Sequence, residues 1–160
     1  MEKKISVGIA DMKMTRQEGV LITYALGSCI GVSFYDPMIK LGALLHIMLP
    51  EKSSAKDGNV FKFADTGIRE TLRKLTAFGG SKSRMVCKIA GGAKMFEMKG
   101  SGGLGNIGER NAQNVKRILM AEGLRVTSED VGANYARTML LDVATGNVYV
   151  RSAGKPEKML

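Results

Sequence analysis

The 160-residue sequence has no tryptophan, three prolines, two cysteines and a single histidine. Two cysteines cannot staple a small secreted fold, so hydrophobic burial must supply the core. Cys29 and Cys87 are expected to remain free thiols in a reducing compartment, the cytoplasm. No run approaches the ~18 apolar residues of a membrane span, and no apolar leader follows Lys3-Lys4. Aromatic residues are only 6% and do not interleave with basic ones, which argues against a stacking surface for nucleic acid. With one histidine and no carboxylates at ligand spacing, the residues suggest no metal site, and no cofactor is expected.

What is present is basic charge and glycine. The net charge is +9, scattered rather than gathered into a tail, which suits a solvated surface or an acidic protein partner. The 20 glycines point to tight turns and close backbone approaches. The length suits one domain over residues 1–160. Apolar, β-rich runs predict strands over 20–26, 30–35, 41–49, 85–90, 139–143 and 148–151; the run 41–49 is apolar on both faces and so expected to be buried. Stripes of Ala64, Ile68, Leu72, Leu75 and of Val115, Ile118, Leu119 predict helices over 63–78 and 109–122. Asn106 and Glu109 have the spacing of a capping box. The tail after Gly154 is expected to be loose. Strands outnumber helices, which makes the class α+β.

One short stretch, Gly27-Ser28-Cys29-Ile30-Gly31, sets a thiol between glycines. If 30–35 and 41–49 form a hairpin around Pro37-Met38, with Asp36 opposite Ile39, then Cys29 lies opposite His46 on one face. Cross-strand Cβ atoms are then ~4.5–5.5 Å apart, within reach of a thiol–imidazole hydrogen bond. An imidazole there can take the thiol proton and activate the sulfur as a nucleophile. Gly27 and Gly31 leave room for a substrate chain, backbone N–H groups near Ser28 and Cys29 can face an oxyanion, and Thr23 is the nearest hydroxyl to orient the imidazole. A lone buried histidine would ordinarily be a core residue satisfied by backbone; it is the partner that changes the reading. Cys87, with no histidine left to pair with it, reads as a small buried residue. Gly100-Ser101-Gly102-Gly103-Leu104-Gly105 matches G-x-G-x-x-G without the preceding strand that dinucleotide binding requires, so a mobile surface loop outside the catalytic centre is expected.

The motifs together resemble a known family. Thr23-Tyr24-Ala25-Leu26-Gly27-Ser28-Cys29, Leu45-His46-Ile47-Met48-Leu49-Pro50, Lys62-Phe63-Ala64-Asp65-Thr66, Ile89-Ala90-Gly91-Gly92-Ala93-Lys94-Met95-Phe96 and Asn106-Ile107-Gly108-Glu109-Arg110-Asn111 are similar, in this order, to the chemotaxis protein CheD family. Asp130-Val131-Gly132, Arg137 and Thr145-Gly146 extend the likeness to nearly the whole chain. The sequence departs from the family pattern at Ala133, where a second glycine is usual, and in a longer segment before Asn106. The resemblance implies a layered arrangement of β-sheets with helices outside, similar to the catalytic domain of the cytotoxic necrotizing factors. It implies a deamidase that converts glutamines on the cytoplasmic helices of methyl-accepting chemoreceptors to glutamate, with Cys29, His46 and Thr23 in the positions of the family's catalytic residues. It also implies binding to the phosphatase CheC and a monomer when free, with no membrane insertion. The rival readings are a non-enzymatic adaptor that binds CheC or receptors, and a thiol-dependent transglutaminase or protease.

Overall fold

A computed structural model describes residues 3–52, 58–95 and 106–160. The described residues form two five-stranded sheets and two α-helices. The strands are β1 (Lys4–Val7), β2 (Asp11–Arg16), β3 (Val20–Leu26), β4 (Ile30–Asp36), β5 (Leu41–Ile47), β6 (Val86–Gly91), β7 (Val126–Val131), β8 (Arg137–Asp142), β9 (Asn147–Arg151) and β10 (Lys158–Met159); the helices are α1 (Ala64–Ala77) and α2 (Ile107–Ala121). One sheet runs β1-β3-β8-β9-β10 and the other β2-β5-β4-β6-β7. No helix among the described residues is long and apolar enough to cross a membrane.

Strand alternation decides what each layer buries. Ile30, Val32 and Phe34 of β4 and Leu41, Ala43, Leu45 and Ile47 of β5 face the helices, where they pack with Ile68, Leu72, Leu75, Val115, Ile118 and Leu119. Their neighbours in sequence face the other sheet, where Tyr35 and Leu44 meet Leu21, Met139, Leu141 and Val143. The order is therefore helices, central sheet, outer sheet. β5 is buried along its whole length, as its two apolar faces require.

Four differences from the expected elements have physical causes. The 30–36/41–47 hairpin pairs Asp36 with Leu41, not Ile39. The Asp36 carboxylate accepts from the Met38 N–H at 3.1 Å, and Lys40 turns left-handed at φ 49°, so four residues close the loop. The strands β1 and β2 are short and half-exposed, which hides their alternation; β7 too went unexpected. Asn106 precedes α2 but makes no capping bond, because at φ −113° and ψ 28° it is outside the extended conformation that a capping residue adopts. The tail is held: β10 pairs with β9, the Leu160 N–H donates to Val148 O at 2.9 Å, and Arg151 pairs with Glu157. The segment Gly100-Ser101-Gly102-Gly103-Leu104-Gly105 lies outside the described residues.

Candidate active site

Cys29 lies where the chain leaves one sheet for the other. β3 belongs to the outer sheet and β4 to the central one, and residues 27–29 make the crossing. A bulge between Thr23 and Leu26, with Ala25 left-handed at φ 58°, bends the end of β3 toward that crossing.

The shift of the hairpin by two residues moves His46 opposite Gly31. Because side chains alternate with period two, a two-residue shift preserves faces. Cys29 and His46 still share the face toward the outer sheet, now as diagonal neighbours, whose backbones are typically ~7–8 Å apart. The room left by Gly31 is not free for a substrate: a Cβ there would come within 2.7 Å of Met139 Sδ and 3.1 Å of Leu26 Cδ1. At Gly27 the neighbour is the Met95 side chain, 3.2 Å from the position of a Cβ; Met95 is 42% exposed and flexible.

Thr23 is beside the imidazole, and the hydrogen bonds fix the tautomer. Thr23 Oγ1 donates to Val7 O at 2.8 Å and lies 2.7 Å from His46 Nδ1. A hydroxyl has one proton, and the carbonyl can only accept. The second bond must then run from Nδ1–H to Thr23, which leaves Nε2 as the basic nitrogen. That Nε2 is buried and without a hydrogen-bond partner among the described residues. Burial pushes His46 down from the usual 6.5 to about 4, opposed by Asp11, its cross-strand partner on β2. Burial likewise raises the Cys29 thiol, while its own backbone N–H, which faces the sulfur, works against the rise. The resting pair is therefore a neutral thiol and a neutral imidazole near pH 7.

The backbone around Cys29 is held by residues far away in sequence. Gly92 N–H donates to Cys29 O and Ala93 N–H to Gly27 O, both at 2.8 Å. Asn111 Nδ2, on α2, donates to Ser28 O and to Met48 O, both at 2.9 Å. Gly91 cannot carry a side chain: at φ 113° its Cβ would lie 2.1 Å from Cys29 O. Gly108 is equally constrained, with Ala93 O 2.4 Å from where its Cβ would be. Arg137, 2% exposed, fastens the same corner by donating to Gly132 O at 2.9 Å and to Asp130 Oδ2 at 3.2 Å.

These interlocks are built from Ile89-Ala90-Gly91-Gly92-Ala93 and Asn106 to Asn111, two of the motifs on which the family likeness rests. The CheD family, described as CheD chemotactic sensory transduction, matches residues 48–152. A protein of Syntrophomonas wolfei named "Probable chemoreceptor glutamine deamidase CheD" is 46% identical over 161 residues, covering all of both chains. This chain belongs to the CheD family. A protein of Pyrococcus abyssi with the same name is 43% identical over 152 residues, 94% of this chain and 93% of that one. The relatives' matches take in the segment from Thr23 to His46, which precedes the residues matched by the family description.

Of the site residues expected in this CheD chain, Thr23 and His46 are in hydrogen-bond contact and Cys29 shares the face of His46; what holds them was not expected. Val7, whose carbonyl receives the Thr23 proton, and Asp11 lie on the two short strands not expected. Asn111 had a detectable signal: the α2 stripe through Val115 and Ile118, continued back by whole turns, reaches Asn111 and Gly108, and a polar residue in a buried stripe calls for a partner.

The two thiols differ sharply. Cys87 is completely buried on β6, and burial pushes it up to about 12. Cys29 is half-buried. Iodoacetamide added to the folded protein, followed by peptide mapping, is expected to alkylate Cys29 and spare Cys87. Preferential labelling of Cys87 would contradict the assignment of Cys29 as the reactive thiol.

Proposed function

We propose that this protein is a glutamine deamidase acting on chemoreceptors, with Cys29 as nucleophile, His46 as acid and base, and Thr23 as the residue that orients His46. The observation that carries this reading is the relay Val7 O, Thr23 hydroxyl, His46 Nδ1–H, which leaves a basic, unpartnered Nε2 on the face shared with Cys29. The names of the relatives support the substrate class.

His46 Nε2 removes the thiol proton as the sulfur attacks the carboxamide carbon, forming a C–S bond and placing negative charge on the oxygen. The amide N–H groups of Ser28 and Cys29, which have no carbonyl partner among the described residues, receive that charge. The C–N bond then breaks, the nitrogen takes the proton from His46, and ammonia leaves a thioester. Water, deprotonated at Nε2, attacks the thioester; the carboxylate departs and the thiol is restored. A glutamine side chain reaches Cys29 past Gly27, where Met95 can swing aside.

The same reading makes the chain one deamidase domain over residues 1–160, monomeric when free, working in the cytoplasm on receptor helices and bound by a CheC-type phosphatase. Mass spectrometry of a receptor cytoplasmic fragment after incubation tests it. Wild-type protein is expected to convert specific glutamines to glutamates, and Cys29→Ala to convert none. An added primary amine tests the transglutaminase alternative: its incorporation at those glutamines, in place of hydrolysis, would overturn the deamidase assignment. Conversion by Cys29→Ala would overturn the nucleophile.

A further inference from the structure

We propose that Asn111 is a positioning residue that sets the direction of the Cys29 backbone N–H, so that this donor meets the oxyanion; the proposal rests on the cysteine-deamidase reading. Asn111 is fully buried in the apolar stripe of α2, where an amide is costly unless bonded. Its Nδ2 is bonded twice, to the carbonyls of Ser28 and Met48. One nitrogen thus ties the crossing that carries Cys29 to the end of the strand that carries His46. The amide can sit only one way round, since both carbonyls accept and neither donates; its Oδ1 has no partner among the described residues.

The consequence follows from the planarity of the peptide. In a trans peptide the C=O and the N–H point in opposite directions, and the backbone has no cis bonds. Ser28 C=O and Cys29 N–H belong to one such unit. With Ser28 O drawn toward α2, the Cys29 N–H is turned away from α2, to the side of the sulfur. The peptide that follows is fixed separately, by Gly92 N–H on Cys29 O. Among the described residues, Asn111 alone bonds the Ser28–Cys29 peptide unit. Without it, that unit can rotate and carry the donor out of line.

Two reactions at the same sulfur separate this role from general support. Deamidation passes through a tetrahedral oxyanion. Alkylation by iodoacetamide displaces iodide at a saturated carbon and forms none. Asn111→Asp keeps the shape and sets an acceptor against both carbonyls. In that variant the kcat for deamidating a receptor fragment is expected to fall about 100-fold, the lower range for one lost oxyanion donor, with KM unchanged within about threefold. The alkylation rate of Cys29 at the same pH is expected to stay within about threefold of wild type. Asn111→Ala removes the tie without adding an acceptor and is expected to show the same split, so it replaces Asn111→Asp if that variant does not fold. Deamidation within about threefold of wild type, or a parallel fall in both reactions, would overturn the proposal. So would failure of both variants to fold, which would make Asn111 a folding residue. Wild type and Cys29→Ala, run beside them, report on the deamidase reading itself.

Discussion

Replacing His46 by Asn is expected to slow deamidation by roughly two to four orders of magnitude while the protein still folds. Asn can present an N–H to Thr23 near the position of Nδ1 but has nothing at the position of Nε2, so it removes the base and keeps the relay. His46 is the only histidine, so every imidazole ionisation leaves with it. The wild-type rate profile should carry ionisations that belong to the Cys29–His46 pair, and the variant should lose the acidic limb. Activity within about tenfold of wild type in a folded variant would rule out His46 as the base. The same substitution has a second readout in stability. His46 titrates at about 4 when folded against 6.5 as its ordinary value, so between these values the unfolded chain binds the extra proton and stability rises with pH. His46 thus contributes no penalty above pH 6.5 and destabilises progressively as the pH falls toward 4, by about 3 kcal/mol in all. Asp36, held below its ordinary 3.8 by Arg84, is shifted in the same direction but in a lower window: its stabilisation is present above that value and lost as the pH falls below it. Denaturant melts from pH 7 to 4 should therefore show a slope in wild type that His46→Asn flattens. An unchanged slope would mean that other groups carry it.

Gly91→Ala is expected to destabilise the fold by about 3–5 kcal/mol, which lowers Tm by roughly 10 °C for a chain of this size. Two costs add. The backbone is left-handed at φ 113°, and the new Cβ would lie 2.1 Å from Cys29 O, a backbone atom that cannot turn aside as a side chain would. The clash pushes on the peptide that carries Cys29, so any folded fraction should also deamidate at least about 100-fold more slowly, as expected if the proposed nucleophile is misplaced. Gly123→Ala is the control: the residue is also left-handed, at φ 83°, but its Cβ would meet nothing within 4 Å. It should cost only the conformational strain, about 1–2 kcal/mol, with activity kept. Equal losses in the two variants would show that conformation, rather than the contact with Cys29, governs Gly91.

The sequence by itself determined the α+β class and the shared face of Cys29 and His46, and its motif order implied the layers. Long apolar runs at 20–26, 30–35 and 41–49 and the helical stripes of α1 and α2 are local signals, since alternation and 3.6-residue periodicity are set by neighbouring residues. The common face of Cys29 and His46 survived an error of two residues in register because the period of a strand is two. The motif order, a property of the chain alone, pointed to the CheD family. Only the tertiary structure decided the register itself, which depends on how Asp36 and Lys40 close their turn. It alone decided that Met139 fills the space at Gly31, that β1 brings Val7 O to Thr23 and so fixes the His46 tautomer, and that Gly91, Gly92 and Asn111 clamp the backbone of Cys29. Those contacts join residues tens of positions apart, and their partners are mostly backbone carbonyls and amides, which every residue has. Such groups leave no mark in side-chain patterning, so they become specific only when the sheets and α2 are packed together.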